Sequence, residues 1–434
     1  MRKYLALVLG VLFILSLTAI AFAEDKTEVT LGGKILARGW YLGNAAQTSL
    51  SGKAYLPTKA DAETFYSTNV NLMVDAKVTD NVRGFLEIET ARGGNPNSGL
   101  YVWGDNGYDT KPNADLLYRQ AWIQYSGAGL GVPAGIKVGH MLVSLSEKQF
   151  LNFERFGSDG ILVWIDPTKE AHLALSTWKL NEGSLNKFDD TDAYIAQLGY
   201  MWDKDNTVGA NYTYVRGQKN DMDFSNVGGY ADGKISGLSY GAEVDLQFGE
   251  MKEPGTAKTK FRGYGIFAKL GYMIDPINVR ASFALGSGDT NDKDNKNKEF
   301  ATLLGPDYGY TARLIHYTQI YERVLKTAAT EGNDANTGIA NTTYYNLGID
   351  INPMNNLSLA LDGFYLQATK TKSGVGDYIG TELDFQGTYK LAKNLNYIVQ
   401  AGYFWQGDFY KDSKFVTSKD KDVLMAVHGL QLTF

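Results

Sequence analysis

Apolar and polar residues alternate through most of this chain. Between Leu238 and Phe248, residues Leu238, Tyr240, Ala242, Val244, Leu246 and Phe248 fall on one side. Ser239, Gly241, Glu243, Asp245 and Gln247 fall on the other. A β-strand repeats every two residues, so this segment presents one greasy face and one polar face. Residues 379–389 follow the same rule, with Ile379, Thr381, Leu383, Phe385 and Tyr389 opposite Gly380, Glu382, Asp384, Gln386 and Thr388. Residues 66–78 set Val70, Leu72 and Val74 against Asn69, Asn71 and Asp75. Read along its length, the chain predicts strands near 28–41, 65–78, 82–90, 116–126, 135–143, 160–166, 170–179, 191–203 and 207–217. Others follow near 222–231, 237–249, 260–274, 277–287, 340–352, 357–370, 377–391, 394–407 and 422–434. That is about eighteen, or sixteen if 222–231 and a neighbour drop out; both are even, as in bacterial barrels.

Alternation alone fits a soluble sandwich, whose polar face meets water, or a membrane barrel, whose greasy face meets lipid. Length separates the two. The segments run to about ten residues or more, the span of a tilted membrane strand, whereas ordinary strands average nearer about five or six. Trp40 and Tyr41, Tyr200 and Trp202, and Tyr403 and Trp405 sit toward strand ends, where barrels carry aromatic girdles. Short polar turns at 79–81, 203–206, 275–276 and 353–356 interleave with long loops at 42–64, 91–115 and 288–339. The expected fold is therefore all-β: a transmembrane antiparallel β-barrel with long extracellular loops and short periplasmic turns.

The N-terminus agrees with export. Arg2 and Lys3 precede an uncharged stretch from Leu5 to Ile20, and Ala21-Phe22-Ala23 forms a small-residue cleavage pattern. Residues 1–23 are expected to be a signal peptide and 24–434 the barrel, which places the protein in a bacterial outer membrane, surrounded by its lipid. Loss of Arg2 and Lys3 from 42 basic residues leaves 40 against 48 acidic ones, a balance that argues against a nucleic-acid binder. With no cysteine and four scattered histidines (His140, His172, His316 and His428), metal, thiol and Ser–His chemistry have little material. No cofactor is expected.

Several segments carry a resemblance. Leu117-Tyr118-Arg119-Gln120-Ala121-Trp122 resembles the LRQAW strand of the alginate-export family of outer-membrane porins. Ile136 to His140 resembles the strand that follows, with His140 in place of an arginine. Arg155 with Asp159-Gly160, the run Leu238 to Gly249, and Ser287-Gly288-Asp289 are similar to later family segments and come in the family's order. The resemblance implies eighteen strands and a transport role without naming alginate as the cargo.

Extending the alternation assigns Lys34, Arg38, Lys77, Arg83, Lys137, Lys269 and Arg280 to the lumen. It assigns Asp75, Glu87, Glu89, Glu243, Asp245, Asp350, Asp362, Glu382 and Asp384 there as well. An exporter of a polyanion should offer an excess of lysine and arginine. Seven cations against nine anions speak against alginate itself and predict a weakly cation-preferring or nearly unselective pore. Cations concentrate before residue 140 and anions after residue 240, an arrangement that would set a field across the pore. Glu243, Asp245, Glu382 and Asp384 are the clearest of these assignments and are expected to stand in water.

Loop 143–160 mixes Glu147, Lys148, Glu154, Arg155 and Asp159 with Phe150, Phe153 and Phe156. Such a loop either folds inward as a constriction or lies on the surface. Residues 288–339 are expected to form a long extracellular loop, in which Thr311 to Lys326 have the spacing of one helix or hide a further hairpin. The acidic run 287–298 fails the EF-hand pattern, because Lys293 takes a ligand position and no glycine follows. The functional expectation is passive passage of small hydrophilic solutes or ions, without catalysis. The alternatives are a barrel enclosing a partner protein, such as an electron-transfer conduit, and an outer-membrane hydrolase.

Overall fold

The computed structural model describes residues 27–44, 62–92, 101–104, 114–252, 255, 257–291, 294–304, 317–325, 338–412 and 422–434. The leader expected at 1–23 lies outside them. The barrel strands begin with β1 (Glu28–Gly43), β2 (Ala62–Lys77), β3 (Val82–Arg92), β4 (Ala114–Gly129), β5 (Val132–Met141) and β6 (Ser158–Ile165). Next come β7 (Ala171–Asn181), β8 (Thr191–Asp203), β9 (Asn206–Gly217), β10 (Met222–Ile235), β11 (Leu238–Met251) and β12 (Tyr264–Ile274). The ring finishes with β13 (Ile277–Gly286), β14 (Thr342–Met354), β15 (Leu357–Ala368), β16 (Tyr378–Ala392), β17 (Leu395–Gln406) and β18 (Val423–Thr433).

Each strand pairs antiparallel with the next, and β18 pairs with β1 from Lys34↔Thr433 to Gly43↔Leu424. The sheet closes on itself without an open edge, as a bilayer demands. One rim carries only short turns, among them 130–131, 204–205, 236–237, 275–276, 355–356 and 393–394. At 236–237, Ser236 and Gly237 both have positive φ, the two-residue turn whose twist matches the flanking strands. The other rim carries the long connections, 44–61, 93–113, 142–157 and 287–341 among them.

Adjacent rows of paired residues show why the chain closes this way. Tyr240, Leu270, Ala281, Leu347, Gly363, Leu383, Tyr403 and Leu424 pair in turn across β11–β18. This row has no charge, and Leu347 in it is 71% exposed. The neighbouring row is Gly241, Lys269, Ser282, Asn346, Phe364, Glu382, Phe404 and Val423, and it points inward. Exposed Leu31, Ile123, Leu246 and Leu270 continue the outer band. Such a surface is stable only against hydrocarbon.

The packed apolar residues lie inside the ring, where they meet segments that enter from the long-loop rim. Phe150 stacks on Phe224 at 6.1 Å and stands 6.5 Å from Phe300. Tyr321 stacks on Phe404 at 6.3 Å, and Tyr317 on Tyr344 at 4.7 Å. Burying each such side chain contributes about 1.5–3 kcal/mol. Among the described residues helix is confined to the single turns Tyr321–Leu325 and Asp408–Asp412.

Candidate functional site

The pairing register puts the sixteen charged residues assigned to the lumen on the inner face. Lys34 pairs with Asn71 and that with Glu89, Arg38 with Ser67, and Lys77 with Arg83. Glu87 faces Gln120 on β4, and Gln124 faces Lys137 on β5. Asp75 shares the inner register of β2 with these. On the far arc Glu243 pairs with Phe267 and Asp245 with Gly265. Glu382 stands opposite Phe364, and Asp362 opposite Asp384. The Arg280 guanidinium lies between two of these carboxylates. Its Nε donates to Asp350 Oδ2 at 2.7 Å, and Nη2 donates to Asp362 Oδ2 at 2.9 Å.

Residues 142–157 turn into the lumen and cross it. Leu145, Phe150 and Leu151 are no more than 2% exposed. On the near wall the segment is clamped by two arginines. Arg155 Nη1 donates to Glu89 Oε2 at 2.6 Å. Arg119 Nη1 donates to both oxygens of Glu87 at 2.9 Å, while its Nε and Nη2 donate to the carbonyls of Arg155 and Glu154. Arg119 reaches inward because it is the extra residue of a β-bulge: Glu87 pairs with Gln120 and Ile88 with Tyr118. The consecutive polar pair Arg119-Gln120 inside an alternating strand is the sequence signal that marks it.

On the far wall Gln149 N donates to Glu243 Oε2 at 3.3 Å, and Asn211 Nδ2 to Ser146 Oγ at 3.0 Å. Lys269 Nζ meets Glu147 Oε2 at 2.6 Å. Burial pushes the Glu147 carboxyl above its usual range, with the Lys269 ammonium pulling against it. Lys148 and Ser144 both bind Glu154. Asp159 needs correction as a loop residue. It belongs to β6, pairs with His140 on the outer register and is hydrogen-bonded to that imidazole at 2.8 Å.

A second segment enters from the connection expected to lie outside the membrane. Residues 294–304 lie alongside the first segment, with Leu303 N donating to the Phe150 carbonyl at 2.7 Å. Residues 317–325 dock on β16 through their backbone. Ile320 N and Tyr321 N donate to the two oxygens of Glu382 at 2.6 and 2.8 Å, and Gln319 N donates to Asp384 Oδ2 at 3.0 Å. Successive amides that converge on a carboxylate form an anion nest. Where one helix or a hairpin was expected over 311–326, the described part is this nest and a single π-helical turn.

The expected water-lined acids are thereby corrected. Glu243, Asp245, Glu382 and Asp384 are 1%, 0%, 0% and 5% exposed. They face inward, as alternation requires, but the inserted segments cover them. Exposed charge also stands on the opposite wall. Arg83 has a half-exposed side chain and donates through Nε to Asp75 Oδ1 at 2.7 Å. Lys137 Nζ lies 3.8 Å above the Trp122 ring, and the Arg83 guanidinium 5.7 Å from it. Below the first segment, Leu145, Ser146, Asn211, Tyr230 and His172 line a cavity of about 760 Å³ toward the short-turn rim.

The chain matches the alginate export family over residues 53–423. Among solved structures it is similar to Pseudomonas aeruginosa OccK2 (OpdF), with a TM-score of 0.57 and 12% identity over 96% of this chain and 100% of that one. It is also similar to Pseudomonas aeruginosa OccK8 (OprE), with a TM-score of 0.55 and 12% identity over 96% and 99%. Acinetobacter baumannii OccAB1 gives a TM-score of 0.55 and 11% identity over 96% and 99%. At such identities the likeness is one of fold. No curated protein matches the chain. With the family matched along most of its length and its eighteen strands closed around a charged lumen, the chain belongs to the alginate export family and is an outer-membrane channel for small solutes.

Proposed function

We propose that the channel passes small hydrophilic solutes passively and weakly favours those carrying a carboxylate. The observation that carries this reading is the asymmetry of accessible charge. Arg83 and Lys137 flank Trp122 on the open wall, whereas the four acids of the far wall are buried. Arg280 offsets Asp350 and Asp362 on the remaining arc. An aromatic face between two cations suits a small sugar acid, whose ring stacks while its carboxylate pairs. Pseudomonas aeruginosa OccK2, of similar fold, has been solved in complex with glucuronate. The preference is weak because Asp75 binds Arg83 and, among the described residues, no ring of one sign closes around the lumen.

In this reading residues 142–157 and 317–325 are constrictions, and the sixteen inward charges set the field through which solutes pass. The chain is exported by its 1–23 leader and catalyses nothing. His140, which sits beside Asp159, has its other ring nitrogen on the Phe156 carbonyl rather than on a hydroxyl nucleophile. An enclosed partner protein is disfavoured because the chain's own segments fill the middle of the barrel. Planar-bilayer recording under a salt gradient tests the reading: stepwise conductance with a reversal potential on the anion side is expected. Cation preference, or no conductance, would sink it.

A further inference from the structure

One cross-strand row of the barrel walls the cavity of about 760 Å³ below the first inserted segment. His172 on β7 pairs with Gly199 on β8, Gly199 with Gly209 on β9, and Gly209 with Tyr230 on β10. Two glycines thus make a bare floor between an imidazole and a phenol. The Tyr230 ring leans back across that floor. A Cβ on Gly209 would lie 2.3 Å from Tyr230 Cε1 and 2.5 Å from Cζ. A Cβ on Gly199 would lie 3.5 Å from the Tyr230 hydroxyl and 3.9 Å from His172 Cβ, so both side chains border that glycine. One face of the phenol is pressed on backbone. Because half-buried Tyr230 also lines the cavity, the other face is open to it.

The polar groups around this platform have hydrogen-bonding capacity to spare. His172 Nδ1 is held by Asp166 Oδ1 at 2.7 Å, which fixes the ring and leaves Nε2 without a partner among the described residues. The Tyr230 hydroxyl and the Gln197 amide, the latter one inner row further from the rim, likewise bond to no described residue. Asn211 pairs with Gln197, is 6% exposed and has an unpartnered Oδ1. Ser146 Oγ accepts from Asn211 Nδ2 at 3.0 Å, so its own hydrogen remains to be donated. Asp166, Lys169 and Glu170 share the lining and leave it no excess of positive charge. An aromatic face edged by neutral donors and acceptors matches a pyranose ring, whose C–H face stacks while its hydroxyls bond at the edge. The volume lies within the range of small-molecule sites.

We propose that this cavity is a saccharide subsite on the short-turn side of segment 142–157, with Tyr230 as its stacking platform and Gln197 and His172 as hydrogen-bond partners. It rests on the channel reading above, as a station that a sugar occupies on its way through the barrel. Saturation-transfer NMR of the purified full chain in detergent, titrated with methyl α-D-glucopyranoside, tests it without requiring conduction. Saturable binding in the millimolar range is expected, loose enough to let the sugar move on. Tyr230→Ala should weaken it about tenfold by removing the ring, whereas Tyr230→Phe, which keeps the ring, should stay within about threefold of the native chain. Gln197→Leu should weaken it about fivefold. Circular dichroism and heat-modifiable migration report folding of each variant. Absence of saturable binding to the native chain, or a folded Tyr230→Ala that binds as the native chain does, overturns the subsite. Should Tyr230→Ala fail to fold, Gln197→Leu decides: unchanged affinity overturns it. A native barrel that binds the glucoside but passes no current in a planar bilayer would overturn the channel reading instead and leave the subsite standing.

Discussion

Arg155 and Glu89 meet at 2.6 Å although 66 residues separate them, and neither side chain is more than 3% exposed. The pair fastens an inserted segment to the wall of β3. Asn69 completes it by donating to the other Glu89 oxygen at 2.7 Å. Glu89→Gln leaves the guanidinium buried without its counter-charge, a loss of about 3–5 kcal/mol. The expected result is a barrel that still assembles but whose 142–157 segment is cut by protease. Equal resistance in variant and native barrels would mean that the pair does not hold the segment.

Glu382→Gln removes the anion from a nest of two backbone amides. Hydrogen bonds to a charged group contribute about 1.5–3 kcal/mol each, so residues 317–325 should undock. Single-channel recording should show a larger unit conductance. A value equal to that of the native channel would mean that the nest does not hold this segment inside.

Arg83→Gln together with Lys137→Gln removes the accessible cations beside Trp122 while keeping long polar side chains. Assembly should be unaffected, because both residues face the lumen. The reversal potential in a potassium chloride gradient should move toward cation preference. If it stays where it was, selectivity is set elsewhere in the lumen.

Leu383 pairs with Tyr403 in the outer row and is 41% exposed to the surroundings of the barrel. Leu383→Lys should cost about 2–4 kcal/mol near the bilayer midplane. Reversible unfolding in lipid vesicles measures this. Unimpaired folding would invert the inside–outside assignment of β16.

The strands were legible because lipid and lumen impose opposite demands on neighbouring residues, and those demands repeat every two positions. Even 222–231, with its glycines and short polar residues, took its place as β10 between β9 and β11. What filled the lumen was not legible in the same way. Gln149 reaches Glu243 across 94 residues and Ile320 reaches Glu382 across 62, and no local period encodes such distances. Alternation shows the direction in which Glu243 and Glu382 point; it does not show what meets them there. Arg119 illustrates a milder loss: its bulge breaks the period for one residue and so passes for an outward position.

The covered acids give the inserted segments a second effect beyond occupying space. While docked, their amides cover the carboxyls of Glu243, Glu382 and Asp384, so the permeating solution meets Arg83 and Lys137 but not these acids. A segment that swung out would widen the bore and uncover carboxylates in the same movement. Aperture and ion preference are then a single variable, and conductance substates of one molecule should differ in the sign of the current they favour.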